Sequence, residues 1–156
     1  MATDSACKLA LGLYEALWRP AAPLLRHNRR LAVGYAQRCL QTTLPAPAEL
    51  WLQAASVGES YLAWELLKHL HPPHPIRVLL TTNTAQGHQI LNEAVADIGD
   101  DSGRLTACVG YFPFDRPSWM RRAVESIRPR LAVLLETELW PGQLSALKWF
   151  GSRVLV

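Results

Sequence analysis

An acid lies at the point where an apolar run, residues 50–52, gives way to a helix-like run, residues 61–70. The acid is Glu59, in the sequence Ser56-Val57-Gly58-Glu59. Glycine at such a junction lets the backbone turn tightly and lets a ligand approach closely. The first N–H groups of a helix have no internal partners, and they stabilise a nearby acid by about 0.3–1 kcal/mol. Glu59 is therefore a candidate functional residue held in its ionised form, and the structural alternative is an acid that only supports the first turn of its helix.

A second polar stretch, TTNTAQG at residues 81–87, follows the next apolar run. Thr82 and Thr84 carry hydroxyl groups that can bind a ligand, and Gly87 ends the stretch. Thr84 is also a good N-cap for a following helix, and that role alone would explain it. The stretch is not a P-loop, because no GK[ST] follows. His88 is expected to be a solvated helix residue.

Two further acids, Glu136 and Glu138, follow the apolar run 131–135. A carboxylate at the end of a buried strand costs several kcal/mol unless it has partners. If the chain stays extended, the two side chains point the same way. With Trp140 beside them they would suit a polyol, whose hydroxyls donate to carboxylates while an aromatic ring packs on a sugar face. The alternative is a helix start with Pro141 in the first turn, and the residues leave both interpretations open.

An alternation of strand and helix positions these stretches from residue 48 onwards. Apolar runs predict strands at 49–55, 76–82, 104–114, 128–136 and 152–156, and helical spacing predicts helices at 58–70, 85–98, 115–127 and 140–150. Strands that are apolar on both faces indicate an α/β fold with a parallel sheet and helices on both faces. In such sheets ligands bind at the carboxyl ends of the strands. We therefore expect residues 56–59, 82–84, 112–115 and 136–138 to form one rim, with Asp115 as a start signal for the third of these helices.

The 156-residue chain is 49% hydrophobic and 19% charged, which predicts one globular domain. Its net charge of +3 is too small to indicate nucleic acid as a partner. Residues 1–40 hold six Lys or Arg against two acids, a net charge of +4, so the remainder carries −1. An amphipathic helix at 6–18 and the basic stretch that follows it, up to residue 30, could lie on an anionic membrane surface. The alternative is a helix packed on the domain with a solvated basic face.

Three cysteines, Cys7, Cys39 and Cys108, are far apart and form no CxxC pair or Cys/His cluster. This pattern predicts neither a disulfide nor a metal site, and a reducing compartment fits it best. Free buried thiols are the expected state.

Four motifs resemble those of a known family in order and spacing. They are SVGE at 56–59, TTNTAQG at 81–87, YFPFDRP at 111–117 and ETELWP at 136–141. Together they resemble the N-terminal half of the 3-deoxy-D-manno-octulosonic acid (Kdo) transferases, over residues 48–156. The stretch HNRRLAVGYAQR at 27–38 is loosely similar to the basic stretch after that family's N-terminal membrane-associated helix.

The resemblance implies one half of a GT-B glycosyltransferase, which is built of two Rossmann-like domains. It implies that residues 48–156 bind the acceptor, lipid A precursor, and that residues 1–47 form a helical, basic segment able to associate with the cytoplasmic face of the inner membrane. The family's reaction is inverting and uses no metal or cofactor in the chemical step. Glu59 is implied to be the general base and Glu136 to be important at the cleft. The remaining candidate acceptor-binding or cleft residues are Ser56, Gly58, Thr82, Thr84, Gly87, Asp115 and Glu138.

Two positions depart from the family pattern: Gln86 replaces a frequent threonine, and Gly142 replaces the usual asparagine. The C-terminal domain that would bind the donor, CMP-Kdo, would begin after Val156, so we expect no transferase activity from this chain alone. The rival interpretation is a non-catalytic Rossmann-like module that binds a lipid-linked sugar or a protein. A nucleotide-binding Rossmann domain is disfavoured, because no GxGxxG follows the first strand.

Overall fold

The computed structural model describes residues 2–42, 47–98, 103–135 and 138–156. Within them, the N-terminal helices are α1 (Ala2–Leu25), α2 (Arg29–Ala32) and α3 (Tyr35–Arg38). Strands and helices then alternate in the order β1 (Leu50–Ala54), α4 (Val57–His69), β2 (Ile76–Thr82), α5 (Ala85–Ile98), β3 (Leu105–Tyr111), α6 (Pro117–Ile127), β4 (Leu131–Leu135), α7 (Pro141–Phe150) and β5 (Arg153–Leu155).

The five strands form one parallel sheet in the order β3-β2-β1-β4-β5. Strand β1 lies at its centre, paired with β2 on one side and β4 on the other, and all five of its residues are buried. From β1 the chain builds the sheet outwards to β3 and then returns to add β4 on the opposite side. The order therefore reverses between β1 and β4, which is where ligands bind in open α/β sheets.

Two apolar cores lie on the two faces of the sheet, because successive side chains of a strand point to opposite faces. On one face Leu52 packs in a cluster with Ala63 of α4 and Leu91 of α5. On the other face Trp51 packs in a cluster with Ala123 of α6 and Leu147 of α7. This arrangement confirms the predicted α/β fold with a parallel sheet and helices on both faces.

Helix α1 is longer than the predicted 6–18 and continues through Pro20 and Pro23. One side of it contacts the rest of the protein: Glu15 accepts hydrogen bonds from Arg116 Nε (2.5 Å) and from the backbone N–H of Ser118 (2.9 Å). The other side is solvent-exposed and carries leucines with 62–68% of their surface accessible, namely Leu9, Leu13, Leu17 and Leu24. Among the described residues, no helix has the length and apolar character needed to span a bilayer.

Candidate functional site

Glu59 lies at the junction of β1 and α4, where Ser56 is the N-cap of the helix. The Ser56 backbone is extended, and its Oγ accepts a hydrogen bond from Glu59 N (3.2 Å). The Glu59 side chain turns back, and its Oε2 accepts a hydrogen bond from Ala55 N (2.6 Å). This reciprocal arrangement is a variant of the capping box, for which the Ser-x-x-Glu spacing is the sequence signal. The supporting role that we considered as the structural alternative therefore has a definite geometry.

The same geometry leaves free hydrogen-bond acceptor sites on the Glu59 carboxylate. The side chain is 2% exposed, and the bond to Ala55 N fixes its orientation. A carboxylate has about four acceptor sites on its two oxygens, so one backbone donor leaves most of its capacity free for a ligand hydroxyl. Neighbouring Gly58 is exposed, and a Cβ placed on it would meet only Ser56 Oγ, at 3.9 Å. A ligand can therefore approach the backbone beside Glu59.

The Thr82–Gly87 stretch leads from the last residue of β2 into the first turn of α5. Thr84 Oγ1 accepts a hydrogen bond from Gly87 N (2.9 Å), which confirms Thr84 as the N-cap. Thr82 and Gly87 are buried, and a Cβ on Gly87 would lie 2.5 Å from Thr82 Oγ1 and 2.7 Å from Ser60 Oγ. Gly87 thus permits close packing of α5 on β2 and α4. The sequence analysis missed Ser60, whose hydroxyl donates to the Ser56 carbonyl (2.8 Å) within this packing.

Asp115 connects three elements beneath the rim. Its Oδ2 accepts hydrogen bonds from Gly142 N (2.8 Å) and Tyr14 Oη (3.1 Å), and its Oδ1 accepts one from Gln143 N (2.7 Å). Helix α6 begins at Pro117, two residues after Asp115, as predicted. The Asp115 carboxylate, however, caps α7, and Arg116 is the N-cap residue of α6 without a side-chain bond. Burial raises the pKa of Asp115 to about 6, although the hydrogen bonds that it accepts act in the opposite direction.

The ends of β4 and α7 contain the remaining predicted acids. Glu136 lies outside the described residues, and Glu138 is exposed. Trp140 is the N-cap residue of α7 and Pro141 its first residue, which confirms the predicted helix start. Proline is suited to this position because its missing N–H would have no partner there. The structure thus supports the helix-start interpretation of this segment and leaves a polyol contact by Glu138 as a prediction.

Arg38 is a buried cation that the sequence analysis counted only as part of a basic surface. It is 1% exposed, and it donates to three backbone carbonyls: Val33 (3.3 Å), Phe112 (3.3 Å) and Asn83 (2.8 Å). Its guanidinium also lies 4.8 Å from the centre of the Tyr111 ring. Burial is the main cause that lowers the pKa of Arg38. Arg38 therefore fastens α3 to two rim loops, and no local sequence pattern distinguishes it from the exposed arginines nearby.

His88 contradicts its prediction as a solvated residue. Its ring stacks on Tyr111 with 4.5 Å between ring centroids, and the side chain is half-buried. Burial, helped by the charge of Arg38, lowers the pKa of His88. His88 thus belongs to the packing around Arg38.

The cysteines are free, as predicted, although only Cys39 is buried, while Cys108 is half-buried and Cys7 is exposed. Within residues 2–42, 47–98, 103–135 and 138–156 there is no group of three His, Cys, Asp or Glu side chains that could hold a metal ion.

Comparison with known proteins identifies the family. The family model described as 3-deoxy-D-manno-octulosonic-acid transferase (kdotransferase) matches residues 26–156. The 3-deoxy-D-manno-octulosonic acid transferase of Haemophilus influenzae is 31% identical over 123 residues, which is 78% of this chain and 27% of that protein. The enzyme of the same name from Bordetella pertussis is 29% identical over 153 residues, covering 90% of this chain and 35% of the relative.

A bifunctional glycosyltransferase/methyltransferase of Fusobacterium nucleatum is 28% identical over 149 residues, covering 96% of this chain and 21% of the relative. The chain therefore spans about a fifth to a third of the length of these relatives. The family model, by contrast, covers most of the chain, including all five strands and the Ser56–Glu59 junction. The chain belongs to the 3-deoxy-D-manno-octulosonic-acid transferase family.

Proposed function

We propose that this chain is the acceptor-binding domain of an inverting glycosyltransferase that transfers Kdo from CMP-Kdo to lipid A precursor in lipopolysaccharide biosynthesis. Family membership and the names of the relatives support Kdo transfer. The observation that carries the assignment of a base is the Glu59 carboxylate, buried, oriented by Ala55 N and located at the carboxyl end of the central strand. The donor would be held by a second domain, since the relatives are several times longer than this chain.

In the proposed step an acceptor hydroxyl oxygen attacks the anomeric carbon of Kdo from the face opposite to the phosphate. The new C–O bond forms as the bond to CMP breaks, CMP leaves with the electron pair, and the hydroxyl proton moves to Glu59. A sugar hydroxyl has a pKa far above 7, so the base needs only to accept the proton as the bond forms. General base catalysis of this kind typically contributes about 10²–10⁴-fold to the rate. The step needs no metal ion and no cofactor.

The N-terminal helices would place this domain on the cytoplasmic face of the inner membrane. Helix α1 exposes its leucine stripe, and the stretch after it exposes Arg26, Arg29 and Arg30. An apolar stripe beside arginines suits the boundary of an anionic bilayer, where each basic residue contributes about 1 kcal/mol. The contact would be peripheral, and it would bring the active site close to a lipid acceptor.

A hybrid enzyme tests the proposed function. The chain is joined to the C-terminal part of the Haemophilus influenzae relative, and transfer of Kdo from CMP-Kdo to lipid A precursor is measured. We expect transfer by the hybrid and none by the chain alone. Glu59→Gln should lower transfer about 10²–10⁴-fold, while the glutamine Oε1 still accepts the bond from Ala55 N. Glu125→Gln, on the exposed face of α6, is the matched control and should leave transfer unchanged.

Full activity of the Glu59→Gln hybrid would refute Glu59 as the base. The non-catalytic module remains the second candidate, because the capping role of Glu59 would by itself explain a buried acid at this position. It would be favoured if the hybrid were inactive while the chain alone bound the acceptor.

A further inference from the structure

An apolar cavity of about 270 Å³ lies between the N-terminal helices and the rim of the sheet. Helices α1, α2 and α3 supply one wall, and the loops after β2, β3 and β4 supply the other. Residues from both walls include Trp18, Leu25, Leu31, Arg38, Phe112 and Trp140. The proton-transfer step proposed for Glu59 does not use this cavity.

The lining of the cavity favours a hydrocarbon over a sugar. Most of the residues that line the cavity are apolar, among them Leu25, Leu31, Phe112 and Phe114. The Phe114 ring is stacked on Trp18 with 5.8 Å between ring centroids. Each sugar hydroxyl that loses water needs a hydrogen-bonding partner to offset the cost of burial. An alkyl chain has no such requirement, and its transfer out of water is favourable.

The indole N–H groups of Trp18 and Trp140, two residues that line this cavity, are both buried. The N–H of Trp140 has no hydrogen-bond partner among the described residues, whereas the Trp18 indole has the Tyr14 hydroxyl as a neighbour. Buried donors are nearly always paired in folded proteins, so an unpaired donor calls for an acceptor that belongs to something else. The unpaired Trp140 donor, on a residue that lines the cavity, indicates a ligand that carries oxygen atoms.

Arg38 adds a positive charge to the same lining. A guanidinium has five N–H donors, and the contacts with backbone carbonyls use three of them. In the part of the chain that the structure describes, no carboxylate lies within ion-pair distance of Arg38. Asp115 also lines the cavity, but both of its oxygens already accept backbone N–H groups. A buried cation with no carboxylate beside it among the described residues favours a ligand whose oxygens are negative or strongly polarised.

We propose that this cavity binds the oxygen-bearing end of a fatty acyl chain, with the carboxyl or ester oxygens near Arg38 and the two indoles and the hydrocarbon against the leucines and phenylalanines. An engineered apolar cavity of about 150 Å³ in another protein holds benzene, a six-carbon ligand, so about 270 Å³ has room for about ten carbons. The assignment of this acyl chain to the glycolipid acceptor rests on the proposed function. The affinity of the cavity for an acyl chain does not rest on it.

The test is a titration of the ¹⁵N-labelled chain followed through its indole N–H resonances in NMR spectra. Three probes share a ten-carbon chain: decanoate, monodecanoylglycerol and decyltrimethylammonium, each used below its micelle concentration. We expect decanoate and monodecanoylglycerol to shift the Trp18 and Trp140 resonances and leave that of Trp64, which donates to Asp97, unchanged. Decyltrimethylammonium, a cation without an acceptor oxygen, should bind at least about tenfold more weakly, or about 1.4 kcal/mol.

Decanoate and monodecanoylglycerol distinguish a free fatty acid from an esterified chain as the source. If only the acid binds, the ligand is a free fatty acid, and if both bind, an ester-linked lipid fits the cavity. Leu31→Phe narrows the cavity and should weaken binding at least tenfold, whereas Leu62→Phe, on the exposed face of α4, should not. Unshifted Trp18 and Trp140 resonances in the wild-type chain, or equal shifts of all indoles with all three probes, would overturn the proposal.

The outcomes separate this proposal from the function proposed above. Acyl binding without transfer by the hybrid would leave the cavity assigned and refute the transferase role. Transfer by the hybrid without acyl binding would support the transferase role and refute the assignment of the cavity.

Discussion

Two buried acids that follow the carboxyl ends of strands differ in their hydrogen-bond partners. Glu59 is 2% exposed and Asp115 is 3% exposed, so burial does not distinguish them. Glu59 accepts its hydrogen bond from Ala55, four residues earlier in the chain. Asp115 accepts bonds from Gly142 and Gln143, which lie 27 and 28 residues later, and from Tyr14 on α1. One acid is anchored locally, and the other joins distant elements.

This difference separates two uses of a carboxylate. The backbone donors and Tyr14 engage both oxygens of Asp115, which limits it to holding α1 and α7 on the rim. Glu59 has one described donor on Oε2, and its neighbour Gly58 is open to solvent. A buried acid with spare acceptor capacity beside an open backbone can still accept a hydrogen bond from a ligand hydroxyl. The hydrogen bonds of Asp115 give it a structural role, and acceptor binding by this residue stays a prediction.

Truncating both acids should give the largest contrast in stability. Each buried N–H that loses its acceptor costs about 1–3 kcal/mol. Asp115→Ala strands two buried backbone N–H groups, so the free energy of unfolding should fall by roughly 2–6 kcal/mol. Glu59→Ala strands one N–H group and should cost about 1–3 kcal/mol. Urea denaturation followed by circular dichroism measures both values.

Glu125→Ala, on the exposed face of α6, is the control and should change stability by less than about 0.5 kcal/mol. Equal losses in the free energy of unfolding for Glu59→Ala and Asp115→Ala would contradict this contrast, because they would show that Glu59 also connects distant elements.

The pH dependence of stability should reveal the burial of Asp115. Burial raises the folded-state pKa of Asp115 from 3.8 to about 6, so the folded protein holds this proton more tightly than the unfolded chain does. The resulting stability is fully present below the unfolded pKa and is lost as the pH rises through the folded one. Since one pKa unit corresponds to about 1.4 kcal/mol, the loss should be roughly 2–3 kcal/mol.

Asp115→Asn removes this titration, so the free energy of unfolding of wild type minus that of the variant should fall as the pH rises from 3.8 through about 6. Measuring the difference cancels the opposite contributions of Glu15 and Glu49, whose pKa values are lowered by their hydrogen bonds. A gap that stays constant over this range would contradict the raised pKa.

The sequence predicted local features well, because their signals are local. The bounds of β2 and α5 match the predicted 76–82 and 85–98 to the residue. Prolines before β2 and the Thr84 N-cap before α5 mark those limits. Ser-x-x-Glu likewise identifies a capping box at Glu59, although the sequence analysis considered only a general first-turn acid.

Long-range pairing explains what the sequence analysis missed. Asp115 carries the signal of a helix start, and its distant partners in α7 are invisible to a local pattern. Arg38 looks like the neighbouring surface arginines, yet carbonyls at residues 83 and 112 hold it inside the protein. Both side chains are placed by the packing of α1–α3 on the sheet. The cavity between those helices and the rim could not have been predicted for the same reason.

Two glycines test the same contrast between the acids with smaller expected effects. Gly58 precedes Glu59 in the chain, and Gly142 contacts Asp115. A Cβ on Gly142 would be 2.5 Å from the Asp115 carbonyl oxygen and 2.8 Å from its Oδ1. Gly142→Ala should therefore force α7 away from Asp115 and lower the free energy of unfolding by about 1–3 kcal/mol. A Cβ on Gly58 would meet only Ser56 Oγ at 3.9 Å, and alanine in a helix is favoured over glycine by about 0.5–1 kcal/mol. Gly58→Ala should thus leave stability unchanged or raise it slightly, as urea denaturation would show.

The value of Gly58→Ala lies in pairing this stability measurement with acceptor transfer in the hybrid enzyme. If a ligand approaches the backbone beside Glu59, the added methyl group will weaken acceptor binding in a protein that is at least as stable as the wild type. If transfer is unaffected, the open space beside Glu59 is not where the acceptor lies, and the base would have to be reached from another side. A loss of stability would instead mean that the β1–α4 junction is packed as tightly as the Asp115 junction, and the distinction between the two acids would not hold.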